Sequence, residues 1–500
     1  MSMAAARGGL CSAMGSQHAP VFDPWLWMQA MTQTLAASAD PVGYGQRLRD
    51  QRLAALLAAA VTHSPFYRTR TGEGGRSATV RLADFEPVGK PELMQHFDAW
   101  ATDRRITRAS VDTFLADPAR LGDAYLGDYL VWTSSGTSGE PGVFVQDAQS
   151  LAAFDALDAV RLRGSAFGQE LLPAWSGRQR VAFVGATGGH FAGNASMARL
   201  TRLIPVMAPW LAPVVKVLSV LDPMHQLVSD LQAFQPTVLV TYPSCAAALA
   251  QAQVAGTLNV RLAEIWLGGE QLSPEQRTQV TGAFGCRLRN NYGASEFFSI
   301  AWECPHGHFH LNADWVILEP VDEHQRPVPA GQPSHSVLLT NLANHTQPLV
   351  RYDLGDRVRF VGTACECGSG FPLIDVEGRA DDSLQLADAH GRAVTLLPLA
   401  LVTAIEEGAQ VARFQLLRTA PDRLELRFEA GVVDPRAAYI RTRTALVAFL
   451  ARHGLTQVRI EHGHAAPLRQ ARSGKLRRVV TLPEPRRPGS RRRGPQNVPG

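Results

Sequence analysis

A chain of 500 residues, 45% hydrophobic and 19% charged, has enough apolar material for a soluble globular protein of roughly two to four domains. Its six cysteines are too sparse for a disulfide framework, and its net charge of +4 is too small to mark the whole chain as a polyanion binder. Five arginines against one glutamate gather in the final stretch EPRRPGSRRRGPQNVPG, which lacks interleaved aromatics and reads as a solvated, disordered basic tail over 483–500 rather than a nucleic-acid arm.

The N-terminal MSMAAARGGLCSAMGSQ has no continuous apolar core of signal-peptide length. The most apolar later stretch, VMAPWLAPVVKVLSVL, is broken by two prolines and Lys216. The expectation is a cytoplasmic protein without a membrane span, with residues 1–40 a partly flexible extension. In RLRDQRLAALLAAAVTHSPFYR, Leu48, Leu53, Leu56, Leu57, Ala60 and Val61 fall near one helical face, and the helix is predicted to stop at Ser64-Pro65.

Next comes VWTSSGTSGEPGVFVQD, residues 131 to 147. Gly136, Gly139 and Gly142 permit a backbone that wraps closely round phosphate oxygens, and Ser134, Ser135, Thr137 and Ser138 supply hydroxyls. The same composition suits an exposed hairpin turn. No Lys-Ser or Lys-Thr follows the glycines, which excludes a P-loop of the G-x-x-x-x-G-K-[ST] kind.

From about residue 180 short apolar runs alternate with helical segments: RVAFVGATGG, PTVLVTYPS and AEIWLGGEQLS each begin as a buried strand and end in polar or glycine residues. That alternation implies an α/β fold with parallel sheet, in which ligands sit beyond the carboxyl ends of the strands. Residues 316–362 read as short strands with turns (VILEPVD, SVLLTNL, DRVRFVG), a β-rich subdomain. A boundary near Gly378-Arg379 divides a large domain, 41–378, from a small α+β domain, 379–482. The small domain holds two strands joined by the Pro-Asp turn of RFQLLRTAPDRLELRFEA and the helix PRAAYIRTRTALVAFLARHG.

Behind the 131–147 loop, LGGEQ (267–271), NNYGASEF (290–297), RYDLGDRV (351–358), EGRADD (377–382) and RSGKLRR (472–478) follow in order. This series resembles the adenylate-forming superfamily of acyl-CoA synthetases, peptide-synthetase adenylation domains and luciferase, and within it the phenylacetate–CoA ligase group. The resemblance covers roughly residues 45 to 482 and is supported by SPFYRTR and DFEPVGKPEL. It implies a large α/β domain with a small mobile one and an AMP-forming ligase that uses ATP. On that likeness, the hydroxyls and amides of Ser134 to Gly139 bind the outgoing phosphates, and Glu296 holds Mg²⁺, a cation that takes oxygen ligands. Asp356 meets both ribose hydroxyls. Gly268, Gly269 and Glu270 lie along the adenine, Tyr292 flanks the purine, and Gly293 and Ser295 belong to the same nucleotide site. Arg379 meets the nucleotide, Asp381 is the hinge, and Asp353 and Asp382 adjoin these carboxylates. Lys475 bridges the substrate carboxylate and the α-phosphate, where an ammonium offsets the repulsion of two anions. The chain departs from the family's Thr-Gly-Lys-Pro with Ser138-Gly139-Glu140-Pro141, and Pro467 stands further than usual from the Ser-Gly-Lys.

ECPHGHFHLNAD and CECGSG supply Cys304, His306, His308, His310, Cys365 and Cys367. Three thiolates and one imidazole would close a tetrahedral structural zinc site. Cys365 and Cys367, two apart on an extended segment, share a face, and one of the alternating histidines can join Cys304. His310 best matches the histidine of similar zinc-bearing proteins.

The reading is an ATP-dependent acid:thiol ligase with an aromatic acid as substrate, its pocket drawn from Gly185, Ala186, His190, Tyr242, Ser244, Ala294 and Phe297. The acceptor is coenzyme A, with a carrier-protein phosphopantetheine or an amine as alternatives. A non-catalytic, zinc-stapled nucleotide-binding scaffold is the rival of another class. The identity of the acid stays open, as does the oligomeric state, a homodimer being one option.

Overall fold

Proline and capping residues set the helix boundaries. Helix Gln46–His63 ends as expected, because Ser64 is extended (φ −98°, ψ 111°) and Pro65 opens a second short helix, Pro65–Arg70. Helix Pro274–Phe284 starts on a reciprocal Ser273–Gln276 capping box and stops at Gly285, which takes φ +59°. The computed structural model describes residues 20–71, 80–134, 141–162, 179–207, 214–377, 384–409, 411, 414–429, 432, 434–468 and 478–482.

Residues 1–19 of the extension expected over 1–40 lie outside the described residues, and the rest of it is ordered against the large body. Asp23 caps a helix, Pro24–Ala39, which is apolar on most sides and so shows no amphipathic stripe. It lies against helix Ala148–Leu157. Trp315 Nε1 donates to Thr34 Oγ1 at 3.0 Å and Arg199 Nε to Val21 O at 3.0 Å, so the large body begins before residue 41.

Strands β1 (Leu130–Thr133) and β2 (Val143–Gln146) form an antiparallel hairpin with Thr133 opposite Val143. Strands β3 (Arg180–Gly185), β4 (Val214–Ser219), β5 (Val238–Thr241), β6 (Glu264–Leu267) and β7 (Arg287–Tyr292) are all parallel, in the order β7-β6-β5-β3-β4. On its other edge β7 pairs antiparallel with β8 (Ala301–Glu303), which pairs with β9 (Phe309–Leu311). A separate three-stranded sheet holds β10 (Val316–Val321), β11 (Ser336–Asn341) and β12 (Tyr352–Asp353). Then β13 (Arg357–Gly362) and β14 (Leu373–Glu377) join β9 and complete a nine-stranded sheet. Strand β7 is therefore the seam between a parallel and an antiparallel half.

The smaller body contains the hairpin β15 (Leu384–Ala387) and β16 (Ala393–Leu396). Beside it lies a four-stranded sheet, β19-β18-β17-β20, built from β17 (Phe414–Ala420), β18 (Arg423–Phe428), β19 (Arg459–His462) and β20 (Val479–Thr481). Helices Pro398–Ala409 and Pro435–Arg452 cover it. One apolar cluster fills the space between β1–β2 and the three-stranded sheet, with Trp132, Phe144, Phe297 and Leu339 at its centre. A second runs from Val184, Leu239 and Ile265 of the parallel strands into Leu401, Leu416 and Leu446 of the smaller body. No helix among the described residues is long and apolar enough to cross a membrane.

Candidate active site

The loops beyond the carboxyl ends of β3, β5, β6 and β7 open on one cavity, which also receives residues from β1 and from the turn after β12. After β6, Gly269 has φ +78° and lies against the Tyr242 ring, where an added Cβ would come within 3.1 Å of two ring carbons. Tyr242 in turn accepts the Ala186 amide at 3.2 Å. One ring therefore ties together the loops after β3, β5 and β6. Burial pushes the Tyr242 phenol up to about 12, so it stays protonated at neutral pH.

Gly268, Gly269 and Glu270 line the cavity, but the Glu270 carboxylate is engaged with the neighbouring helix. It accepts the Ser244 amide at 2.9 Å and the Ser244 hydroxyl at 3.0 Å, at the start of helix Pro243–Val254. There it satisfies an otherwise unpaired N–H and complements the positive helix end.

The loop after β7 carries Gly293, Ala294, Ser295 and Glu296 to the cavity wall. Gly293 has a steric reason to be glycine: an added Cβ would sit 2.0 Å from the Phe298 carbonyl oxygen. Glu296 is buried and accepts the Tyr352 hydroxyl at 2.7 Å, while the Tyr292 hydroxyl donates to Asp356 Oδ2 at 3.0 Å. Two phenols, the buried Tyr352 and the half-buried Tyr292, thus serve the two carboxylates. Burial, reinforced by the adjacent carboxylate, holds each phenol well above its ordinary value, so both remain donors. Asp353 also lines the cavity, but its Oδ1 accepts the Ser336 hydroxyl and the Gly355 amide and so braces the turn. Asp356 follows that turn.

Ser134 sits at the foot of the β1–β2 hairpin, where its amide donates to Gly142 O at 2.8 Å and its hydroxyl accepts the Gly142 amide at 2.9 Å. Lys90, not singled out from the sequence, points its ammonium at the Ser134 hydroxyl at 3.4 Å and lines the same cavity. It is brought there because Val88 pairs with the backbone beside Tyr352. Its signal in the sequence was the Gly-Lys-Pro of DFEPVGKPEL, a helix start with a cation in its first position. Ser135, Gly136, Thr137, Ser138, Gly139, Glu140, Arg379, Asp381, Asp382 and Lys475 lie outside the described residues.

Of the residues expected to form an acid pocket, Ala186, Tyr242 and Ala294 line the cavity. Gly185, His190, Ser244 and Phe297 do not. Gly185 closes β3 against the Phe183 ring, and Ser244 is tied to Glu270. Phe297 is wholly buried, edge-on to Phe154 at 5.2 Å. His190 packs beside Phe114, with Nε2 3.4 Å from Asp117 O. Burial lowers the His190 pKa below 6.5. Phe154, Phe183 and Phe298 are among the aromatic side chains that line the cavity. The smaller body contributes Leu399 and Thr403 to the wall.

Outside this cavity, Cys304, His310, Cys365 and Cys367 bring one donor atom each to within 4.8 Å of one another. Cys304 Sγ and Cys365 Sγ are 3.8 Å apart and Cys367 Sγ is 3.2 Å from His310 Nε2. His310 Nδ1 lies 3.1 Å from the Phe371 carbonyl. Donation there leaves Nε2 with its lone pair toward the sulfurs, the tautomer a metal ligand needs.

No protein-family model and no curated protein matches the sequence. Among solved structures, the chain is similar to a 2-hydroxyisobutyryl-CoA ligase in complex with 2-HIB-AMP and CoA in the thioesterification state, with a TM-score of 0.51 and 21% identity over 93% of this chain and 92% of that one. The same ligase in the postadenylation state gives a TM-score of 0.49 and 22% identity over 86% and 88%. A benzoate CoA ligase from Burkholderia xenovorans LB400 gives a TM-score of 0.37 and 16% identity over 71% and 68%. The nine-stranded sheet with its smaller α+β body thus shares the fold of that 2-hydroxyisobutyryl-CoA ligase.

Proposed function

We propose that the chain joins a carboxylic acid to ATP and passes the acyl group to a thiol. The observation that carries this reading is the convergence on one cavity of Lys90, Ser134, Gly269, Tyr292, Glu296 and Asp356, which come from five separate segments of the chain. In the first step a substrate carboxylate oxygen attacks the α-phosphorus and the bond to pyrophosphate breaks. In the second a thiolate attacks the acyl carbonyl and AMP leaves. Asp356 accepts the ribose hydroxyls with its two oxygens. The Lys90 ammonium beside Ser134 supplies positive charge to the outgoing phosphates, a role the chain's Glu140 cannot fill. Glu296 has carboxylate capacity beyond its Tyr352 bond, which suits the Mg²⁺ that accompanies ATP and offsets its charge.

The aryl character of the acid is supported by the Phe154, Phe183 and Phe298 rings, whose faces and edges favour an aromatic guest. Coenzyme A is the proposed thiol, and Lys475 the residue that bridges carboxylate and α-phosphate. The four-residue cluster is proposed as a structural zinc site. Two sulfurs held about 2.3 Å from one tetrahedral ion stand about 3.8 Å apart, which agrees with the Cys304–Cys365 separation of 3.8 Å.

ATP–pyrophosphate exchange over a panel of aryl and alkyl acids tests the reading. Acid-dependent exchange with an aryl acid, followed by thioester formation with coenzyme A, is the expected result, and no acid-dependent exchange overturns it. Lys475→Ala should slow adenylate formation at least ~100-fold while thioester formation from supplied acyl-adenylate survives. Equal loss of both half-reactions removes Lys475 from its role.

A further inference from the structure

The segment Ser295–Ser299, which carries Glu296, is neither helix nor strand. Buried irregular backbone must still find a partner for each polar group, and here every carbonyl in turn has a donor. Trp132 Nε1 donates to Ser295 O at 2.9 Å and Asn341 Nδ2 to Glu296 O at 3.1 Å. The Ala294 amide donates to Phe297 O at 3.0 Å, Asn291 Nδ2 to Phe298 O at 3.0 Å and Asn312 Nδ2 to Ser299 O at 2.7 Å. Three of these donors are asparagine carboxamides from β7, the end of β9 and the end of β11.

Each carboxamide is oriented by what its oxygen accepts. Asn341 Oδ1 accepts the Ala343 amide at 2.9 Å, and Asn291 Oδ1 accepts the Ser299 hydroxyl at 2.9 Å. Asn312 Oδ1 accepts Arg161 Nη1 at 2.7 Å, and that guanidinium is held by Asp314 through bonds of 2.7 and 3.0 Å. With the oxygen committed, only the NH₂ can face the loop. Asn312 and Asn341 are fully buried, so a lost donor would leave a carbonyl in the interior without water to replace it.

We infer that Asn291, Asn312 and Asn341 are positioning residues that hold the Glu296 carboxylate in the orientation a nucleotide-bound divalent cation requires. This rests on the proposed function, since it assigns the cation to Glu296. The three side chains touch the backbone of the loop and act through Glu296, whose own carboxylate Tyr352 steadies. The arrangement supplies preorganisation: the orientation exists before the cation arrives.

The test is Mn²⁺ affinity of the ATP-loaded full-length protein, read by electron paramagnetic resonance. Asn312→Asp keeps an acceptor for Arg161 but replaces the donor to Ser299 O by a second oxygen. It should weaken Mn²⁺ binding about 10–100-fold, the range for partners that orient a metal ligand, and leave metal-free ATP affinity unchanged. Asn341→Asp should act in the same direction. Leu426→Ala, buried in the four-stranded sheet, lowers Tm with wild-type Mn²⁺ affinity and so reports destabilisation alone. If Asn312→Asp fails to fold, Ser299→Ala, which removes the hydroxyl orienting Asn291, should show a smaller loss of the same kind. Wild-type Mn²⁺ affinity in folded Asn312→Asp or, failing that, in Ser299→Ala overturns the positioning inference alone. Failure of the unmodified protein to bind ATP overturns the functional reading and takes this inference with it.

Discussion

The Glu296 loop and the cysteine–histidine cluster both gather groups from distant parts of the chain, and they do so by opposite means. Around the loop, donors as far apart as Trp132 and Asn341 bond to backbone carbonyls, so its geometry is set by the chain before anything binds. In the cluster, the contacts among donor atoms include a 3.8 Å sulfur–sulfur pair and a 3.2 Å sulfur–imidazole pair. Thiols are weak hydrogen-bonding groups, so a shared ion would supply most of the cohesion. A region built by the chain should fail through lost chemistry, and one built by an ion through lost stability.

The largest expected effect breaks the chain-built region. Gly293→Ala would set a Cβ 2.0 Å from Phe298 O, and the loop must move to relieve the clash. A misplacement of about 1 Å costs on the order of 100-fold in rate, so ATP–pyrophosphate exchange should fall by about that factor while metal content is retained. Exchange within a few-fold of wild type would mean that the loop relaxes without moving Glu296.

Cys365→Ser breaks the other region. One zinc per chain is expected in protein purified without chelator, and the variant should release it and melt at lower temperature. Deprotonated ligands are gathered only in the folded state, so the ion contributes through folding. Cys304 and His310 precede β10–β13, while Cys365 and Cys367 follow it. The ion thus ties the two ends of a region that also carries Asp356. Turnover per folded molecule should stay within a few-fold of wild type. A selective loss of turnover, with folding intact, would erase the contrast between the two regions.

What could be read in the sequence follows the same division. Strands β3, β5 and β6 were legible because buried parallel strands are continuous apolar runs, and the β17–β18 hairpin because Pro421 and Asp422 mark its turn. The resemblance carried by the ordered motifs put Ser134, Gly269, Glu296 and Asp356 in one site, and all four line the cavity; the cysteine spacing, with the resemblance choosing His310, pointed to the four donors that lie together. The three asparagines, Trp132 and Lys90 were not legible as a set. Periodicity reports which face of an element is apolar, whereas a side chain bonding a carbonyl 163 residues away, as Trp132 does, leaves no local pattern. Helix Pro24–Ala39 was missed for a related reason: an element apolar on most sides has no stripe to detect.

Asp356→Ala sharpens the comparison within the chain-built region. Its carboxylate is assigned to ribose, a contact made equally in ground and transition states, so the KM for ATP should rise about tenfold with a smaller change in kcat. Tyr292→Phe removes only the 3.0 Å hydrogen bond to that carboxylate and should produce a fraction of the effect. Unchanged nucleotide affinity in Asp356→Ala would detach this residue from the site.

The smallest effect concerns His190, which both regions leave out. The ring packs against Phe114, its Nδ1 has no hydrogen-bond partner among the described residues, and its Nε2 is 3.4 Å from Asp117 O. Burial disfavours the imidazolium and lowers the folded-state pKa below 6.5, with the Asp117 contact opposing. The unfolded chain therefore takes up a proton more readily than the folded one as pH falls through that value. By linkage the contribution to stability is fully present above pH ~6.5 and is lost progressively below it. His345 and His453, lowered by burial in the same way, add to the slope. His190→Phe keeps a ring in the slot and removes the titration, so the fall in Tm between pH 7.5 and 5.5 should be shallower than in wild type, with activity at pH 7.5 little changed. An unaltered slope would mean that the His190 cavity admits water and protonates freely. A large loss of activity at pH 7.5 would instead return His190 to the substrate pocket.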